Sequence, residues 1–150
     1  MEVDYILVSE KDFNSARKAI RESPKGKPVV FASDNDELNR KVLEKENISC
    51  LLIFQKGRKD NLKQRNSGFN QVMAKLAKKR GSRIGICLNE IIGSEGKEKA
   101  DLLARARQNI MLCSKDRILM WFFPGGRKDL YDLKALGLVL GMPTWMTKAL

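Results

Sequence analysis

The chain contains no histidine in its 150 residues. That removes the imidazole from any Ser-His-Asp or Cys-His pair and from any histidine-ligated metal site. Cysteine is nearly as sparse. Cys50, Cys87 and Cys113 stand far apart with no C-x-x-C pair, so reduced thiols are expected rather than a disulfide or zinc framework. The glycines do not compose a phosphate loop. Gly96-Lys97 is followed by Glu98, no glycine lies five residues before Gly96, and no G-x-G-x-x-G follows the first apolar run. Long apolar runs are missing as well. The longest, ILMWFF at 118–123, falls far short of the roughly 20 residues that span a bilayer. The start, MEVDYILVSEKD, has no basic segment leading into an apolar one. No signal peptide, no membrane association and a cytoplasmic setting are therefore expected.

What is present is a core's worth of apolar residues and a large positive charge. At 43% hydrophobic and 31% charged, the sequence suits one domain over 1–150. The net charge is +11, and it is unevenly placed. Between Lys56 and Arg83 stand ten basic residues, Lys56, Arg58, Lys59, Lys63 and Arg65 and then Lys75, Lys78, Lys79, Arg80 and Arg83, with Asp60 the one acid among them. Such a block on an otherwise balanced domain is an electrostatic footprint for a polyanion. A solvated lysine-rich face would leave the same pattern.

Around the block, apolar runs alternate with helical periodicity. YILVS (5–9), PVVFAS (28–33), SCLLIFQ (49–55), RIGICLN (83–89) and RILMWFF (117–123) read as strands. After the first comes a helix with Phe13, Ala16 and Ile20 in step. After the second, one capped by Asp34 or Asn35 carries Leu38 and Val42. The third is followed by a helix with Phe69, Val72, Met73, Leu76 and Ala77 inward and Lys75, Lys78 and Lys79 outward. Ser94 is the expected cap of the next, with a stripe of Leu103, Ala106, Ile110 and Cys113. DLYDLKALGLVLG (129–141) reads as a largely apolar final helix. Five βα units whose strands are apolar on both faces predict an α/β fold with a parallel sheet and right-handed crossovers.

The tetrapeptide GRKD occurs twice, at 57–60 and 126–129, each time after a strand. Both copies then fall at the strands' C-terminal ends, where barrels and open α/β sheets carry their binding loops. That placement adds Arg127 and Lys128 to the candidate polyanion contacts. Glu10, Asp12, Asp34, Asp36 and Glu90 also fall at strand ends, and three such carboxylates on one rim could hold Mg²⁺. Helix capping accounts for Asp34 and Asp36 more economically.

The segment from CLLIFQ through GRKD to SGFNQVMAKLAKKRGSRIGICLN resembles the central signature of the ribonuclease P protein component 3 family, a subunit of archaeal and eukaryotic ribonuclease P. The family pattern is Arg-Lys-Asp, a glycine, a helix of the type Ile-Asp-His-Val-Leu-Ala-Lys-Leu-Ala, and a strand. Here Arg58, Lys59, Asp60, Gly68, Val72, Ala74, Leu76 and Ala77 fit it. EKADLLARARQNIMLCSKDRILMWFF and DLYDLKALGLVLGM resemble the helix and strand that follow and the ending helix. The likeness covers most of the chain and is loosest before residue 50. Three departures stand out: Asn61 to Asn66 form an insertion, the family's histidine falls at Gln71, and its Ile-Asp becomes Phe69-Asn70.

The resemblance implies a barrel of the TIM type, related to metal-dependent phosphoesterase barrels that use several histidines. A complete (β/α)₈ barrel takes about 250 residues, so a partial or shortened TIM-barrel-like architecture is expected, about two N-terminal units short. A second copy or another chain would then complete the barrel at its first strand. The helix 129–141, with Trp145 and Met146 beyond it, would leave further surface for a partner. The implied function is that of a non-catalytic ribonucleoprotein subunit. The RNA subunit would perform the Mg²⁺-assisted removal of the tRNA 5′ leader, with no cofactor on the protein. Ribonuclease P RNA, precursor tRNA and protein component 2 would be the partners. The RNA contacts would be Lys56, Arg58, Lys59, Lys63, Arg65, Lys75, Lys78, Lys79, Arg80, Arg127 and Lys128, with Asp60 and Gly68 as structural motif residues. Two other readings of the residues stay open: a small α/β metal-dependent phosphoesterase, and a basic module that docks on an acidic protein.

Overall fold

The computed structural model describes residues 4–124 and 128–150. Arg127, with the first half of the second GRKD copy, lies outside the described residues. Five strands, β1 (Ile6–Val8), β2 (Val29–Ala32), β3 (Cys50–Ile53), β4 (Arg83–Cys87) and β5 (Met120–Phe123), form one sheet in sequence order. Every neighbouring pair is parallel. Between and after them run helices α1 (Phe13–Glu22), α2 (Asp36–Lys45), α3 (Gln71–Arg80), α4 (Leu88–Ile92), α5 (Gly96–Lys115), α6 (Leu130–Leu140) and α7 (Thr144–Thr147). The expected α/β class, strand count and parallel order are those observed.

The two faces of the sheet are filled differently. Phe31, Leu51, Ile53, Ile84, Ile86, Met120 and Phe122 meet the apolar sides of the helices, among them Ala16, Val42, Ala74, Ala77, Ile110 and Leu140. The other face is filled by residues of the strands and their ends alone: Val30, Ala32, Cys50, Leu52 and Phe123, flanked by Tyr5, Phe54, Cys87 and Trp121. Strands sit about 4.8 Å apart, so a flat sheet would place β1 and β5 roughly 19 Å from each other. Yet the rings of Tyr5, just before β1, and Phe123, at the end of β5, meet edge to face with centroids 5.0 Å apart. The sheet therefore curls until its two edges touch through aromatic side chains. Gly85 makes the room: a Cβ there would stand 3.0 Å from Phe123 Cδ2 and 3.1 Å from Leu52 Cδ1.

Several local expectations need correction. The fourth strand ends at Cys87, and Leu88–Ile92 turn into the short α4. Ser94 does not cap α5. Its hydroxyl donates to the Ile91 carbonyl, and Glu95 holds the cap position without a side-chain bond. Asn35, not Asp34, caps α2, accepting from the Glu37 and Leu38 amides. Val72 points outward from α3 and Ala74 inward, because the helix begins at Gln71, after Phe69. Not every strand is covered on both faces, since Leu7 of β1 is 53% exposed. Met146 is buried in the core, and half-buried Trp145 lies under Arg117, 4.9 Å from its ring centroid, so neither is a free surface. Among the described residues no helix is long and apolar enough to cross a membrane.

Candidate functional site

The loop from Phe54 to Asn70 leaves the C-terminal end of β3, as the motif's position predicts, and is held from three sides. From α4, Glu90 accepts the Gln55 and Lys56 amides at 2.8 and 3.1 Å. From α5, Arg105 donates through all three of its nitrogens: Nε to Asp60 Oδ1 at 3.1 Å, Nη1 to the Gln55 carbonyl at 3.2 Å and Nη2 to the Arg58 carbonyl at 2.8 Å. Asp60 Oδ1 also accepts the Asn66 amide at 2.8 Å, closing the 61–66 segment on itself. At the base, Gln55 Nε2 donates to the Ser67 carbonyl at 2.8 Å. Charge-assisted bonds of this kind are about twice as strong as neutral ones, so the loop is built to keep one shape.

Arg58 belongs to that framework. Its Nε donates to the Phe54 carbonyl at 2.6 Å, and its fork grips Asp36, at the start of α2, with Nη1 and Nη2 at 2.7 and 2.8 Å from the two carboxylate oxygens. Its side chain is 10% exposed. Gly68 lies on the guanidinium with φ +72°, and a Cβ there would fall within 2.6 Å of Arg58 Cζ. Of the two structural motif residues, Gly68 thus makes space for Arg58, while Asp60 pins Arg105 and not Arg58.

The remaining candidates divide by place. Lys56, Lys59, Lys63 and Arg65 are exposed on the loop, and none pairs with a carboxylate among the described residues. Lys75 is exposed midway along α3, while Lys78 and Lys79 are exposed in its last turn. At 1.5 Å per residue, that turn lies roughly 10–15 Å from the helix start, toward the opposite rim. Arg80 is engaged there, donating from Nε to the Glu44 carbonyl at 3.0 Å and also from Nη2, which closes the end of α2. Lys128 is exposed beside Asp129, which caps α6. The basic residues thus form a cluster on the loop and a tail down α3, not one patch.

Three of the five rim carboxylates have separate employment. Asp12 caps α1, Asp36 holds Arg58, and Glu90 holds the loop amides. Among the described residues no three cysteine or carboxylate side chains converge on one point. The thiols of Cys50 and Cys113 are pushed far up by burial, and that of Cys87 is raised by the same cause. Buried thiols of this kind are poor nucleophiles.

Of the groups that shape the loop, sequence reasoning missed Arg105, Gln55 and Asn109, and it placed Glu90 on the rim as a possible metal ligand where the structure has it accepting loop amides. Arg105 and Asn109 stand one turn apart on the buried face of α5, beside Ala106 and Ile110. Two polar residues at i and i+4 within an apolar stripe were the available signal.

Fold and site define a curled, all-parallel βα half-barrel that presents a rigid basic loop on its C-terminal rim. The fold is similar to that of a chain in a cryo-EM structure of archaeal ribonuclease P with mature tRNA. The match has a TM-score of 0.76 at 21% identity, over 95% of this chain and 62% of that one. At that identity the likeness is one of fold, and the present chain spans less than two thirds of its neighbour. No protein-family model and no curated protein matches the sequence.

Proposed function

We propose that this chain is a protein subunit of ribonuclease P that binds RNA backbone through its rim loop and α3, and that the chemistry belongs to the RNA. The observation that carries the reading is the loop itself: four exposed cations, Lys56, Lys59, Lys63 and Arg65, on a scaffold in which Arg58 and Arg105 are already spent on Asp36 and Asp60. A rigid array of unpaired cations binds phosphates with little ordering cost and gains from counterion release. Backbone contacts hold register without reading sequence. The likeness of fold to a chain of archaeal ribonuclease P supports the reading, as does the resemblance of the motif to protein component 3. In this reading the partners are ribonuclease P RNA, precursor tRNA and protein component 2. Mg²⁺ accompanies the RNA.

The test is binding to ribonuclease P RNA as a function of salt. Lys59→Ala with Lys63→Ala and Arg65→Ala weakens binding and flattens the plot of log K against log salt by about 0.7–0.9 for each phosphate left without its cation. Lys18→Ala and Lys41→Ala, on α1 and α2, change little. Equal weakening by the control pair would put the RNA on another face. Salt-independent binding, or capture of an acidic protein that survives nuclease, would replace the RNA reading with a protein partner.

A further inference from the structure

Beside the locked loop lies an open groove of about 310 Å³. One wall is the start of α2, with Glu37 and Arg40. The other is the 61–66 segment, with Asn61, Gln64 and Arg65, and the nearly buried Phe69 and Met73 line the base. The groove's framework is committed: Asp36 and Asn66 hold Arg58, and Asn70 accepts the Met73 amide. The side chains of Asn61, Gln64, Arg65, Glu37 and Arg40 make no hydrogen bond among the described residues. The wall therefore combines groups that fix its shape with groups that face solvent uncommitted.

Those free groups are of three kinds. An amide offers a donor and an acceptor side by side, a carboxylate only accepts, and a guanidinium only donates. A phosphate presents acceptors alone and would be repelled by Glu37. A nucleobase presents donors and acceptors together along one edge, and RNA is read in sequence where its bases are unstacked. The volume lies at the lower limit of small-ligand sites, the scale of one nucleotide and not of a duplex. We propose that this groove takes a single unstacked base of a bound RNA strand, its edge met by Asn61, Gln64 and Glu37 while Arg40 and Arg65 bear on the flanking sugar and phosphate. The inference rests on the RNA reading and adds to it a contact that depends on the base. It also gives the 61–66 segment a purpose beyond lengthening the loop.

The experiment separates base from backbone. A fluorescent single-stranded oligoribonucleotide of mixed sequence and its abasic counterpart, equal in phosphates, are titrated with the whole chain over a range of salt. Asn61→Ala with Gln64→Ala binds the intact strand about tenfold more weakly than the parent, the scale of one bidentate base contact. Its salt slope is unchanged, because every phosphate keeps its cation. On the abasic strand the parent and this variant bind alike. Coincident thermal melts confirm that both exposed substitutions leave the fold intact. The groove is excluded if the variant binds the intact strand as the parent does, or if its deficit persists on the abasic strand or comes with a flatter slope. A parent that binds neither strand overturns the RNA reading, and the groove falls with it. A parent that binds both strands equally well, with a steep salt slope, overturns the groove alone.

Discussion

Arg58 and Lys59 are neighbours in one motif with opposite fates, one turned into the domain and the other exposed. The planar fork of arginine explains the difference, since it can satisfy both oxygens of Asp36 and the Phe54 carbonyl at once, which an ammonium cannot. Gly68 is the cost of that arrangement. Gly68→Ala is expected to destabilise by about 2.5–5 kcal/mol, combining left-handed strain of about 1–2 kcal/mol with damage to a charge-assisted bond of about 1.5–3 kcal/mol. Gly57→Ala, at φ +79° but with nothing within 4 Å of its Cβ position, should suffer only the strain. Urea unfolding of the two variants measures the gap, and equal destabilisation would mean that Arg58 moves aside freely. Asp60 supplies a pH signature. The bonds from the Asn66 amide and the Arg105 side chain, then the Arg105 and Arg65 charges, hold its carboxyl below the ordinary 3.8 against a smaller opposing effect of burial. A depressed folded value contributes stability above the unfolded value, and that contribution is lost as pH falls through the folded one. The stability advantage of the parent over Asp60→Asn should be constant above about pH 5 and narrow below 3.8. An advantage that widens toward acid would contradict the assigned bonds.

At the scale of elements, the strands and main helices were legible because each carries its own signal. CLLI is buried along its whole length, and the Asn35 cap and the αL glycine Gly81 end-mark helices as local rules require. What was not legible depends on distance in sequence. Arg105 meets Asp60 across 45 residues and Glu90 meets Lys56 across 34, and one sequence carries no trace of such pairings. The short α4 has too few residues to show a period. Its presence turns Glu90 toward the loop, so the missed helix and the missed loop anchor are one error. Ser94 was misread for a related reason: capping preference is a statistic of residue type, and the backbone enters α5 one residue later. Arg105→Ala tests the anchor. It removes the partner of the exposed Asp60 and the donors of the Gln55 and Arg58 carbonyls, and should cost about 1–3 kcal/mol, the range for leaving a buried polar group unsatisfied. Hydrogen exchange locates the damage: the Asn66 amide, bonded to Asp60, should lose protection, while the Gln55 and Lys56 amides, bonded to Glu90, should keep it. Uniform deprotection of all three would mean that the loop opens as one body.

At the scale of the whole molecule, the question is which surface still favours a partner. The first strand was the expected weak point, as the exposed edge of an unfinished barrel. In the structure that edge is short, three residues, and the side chain of Tyr5 beside it packs on Phe123 across the curled sheet. Short edge strands are a poor template for pairing with another chain. The far side of α6 is different. Tyr131, Leu138 and Val139 are 80%, 54% and 77% exposed, stand at i, i+7 and i+8 on one side of the helix, and are joined by Leu130 at its start. Contiguous exposed apolar side chains favour association, and isolated ones do not. Sedimentation velocity over a range of concentrations should therefore show self-association in the parent, and Leu138→Lys with Val139→Lys should abolish it. Both residues lie outside the core, so the double variant should keep its stability within about 0.5 kcal/mol per substitution. Leu7→Lys, on the first strand, should leave the association as it was. If Leu7→Lys disperses the protein and the α6 pair does not, association runs through the sheet edge after all, and the aromatic closure between Tyr5 and Phe123 does not protect it.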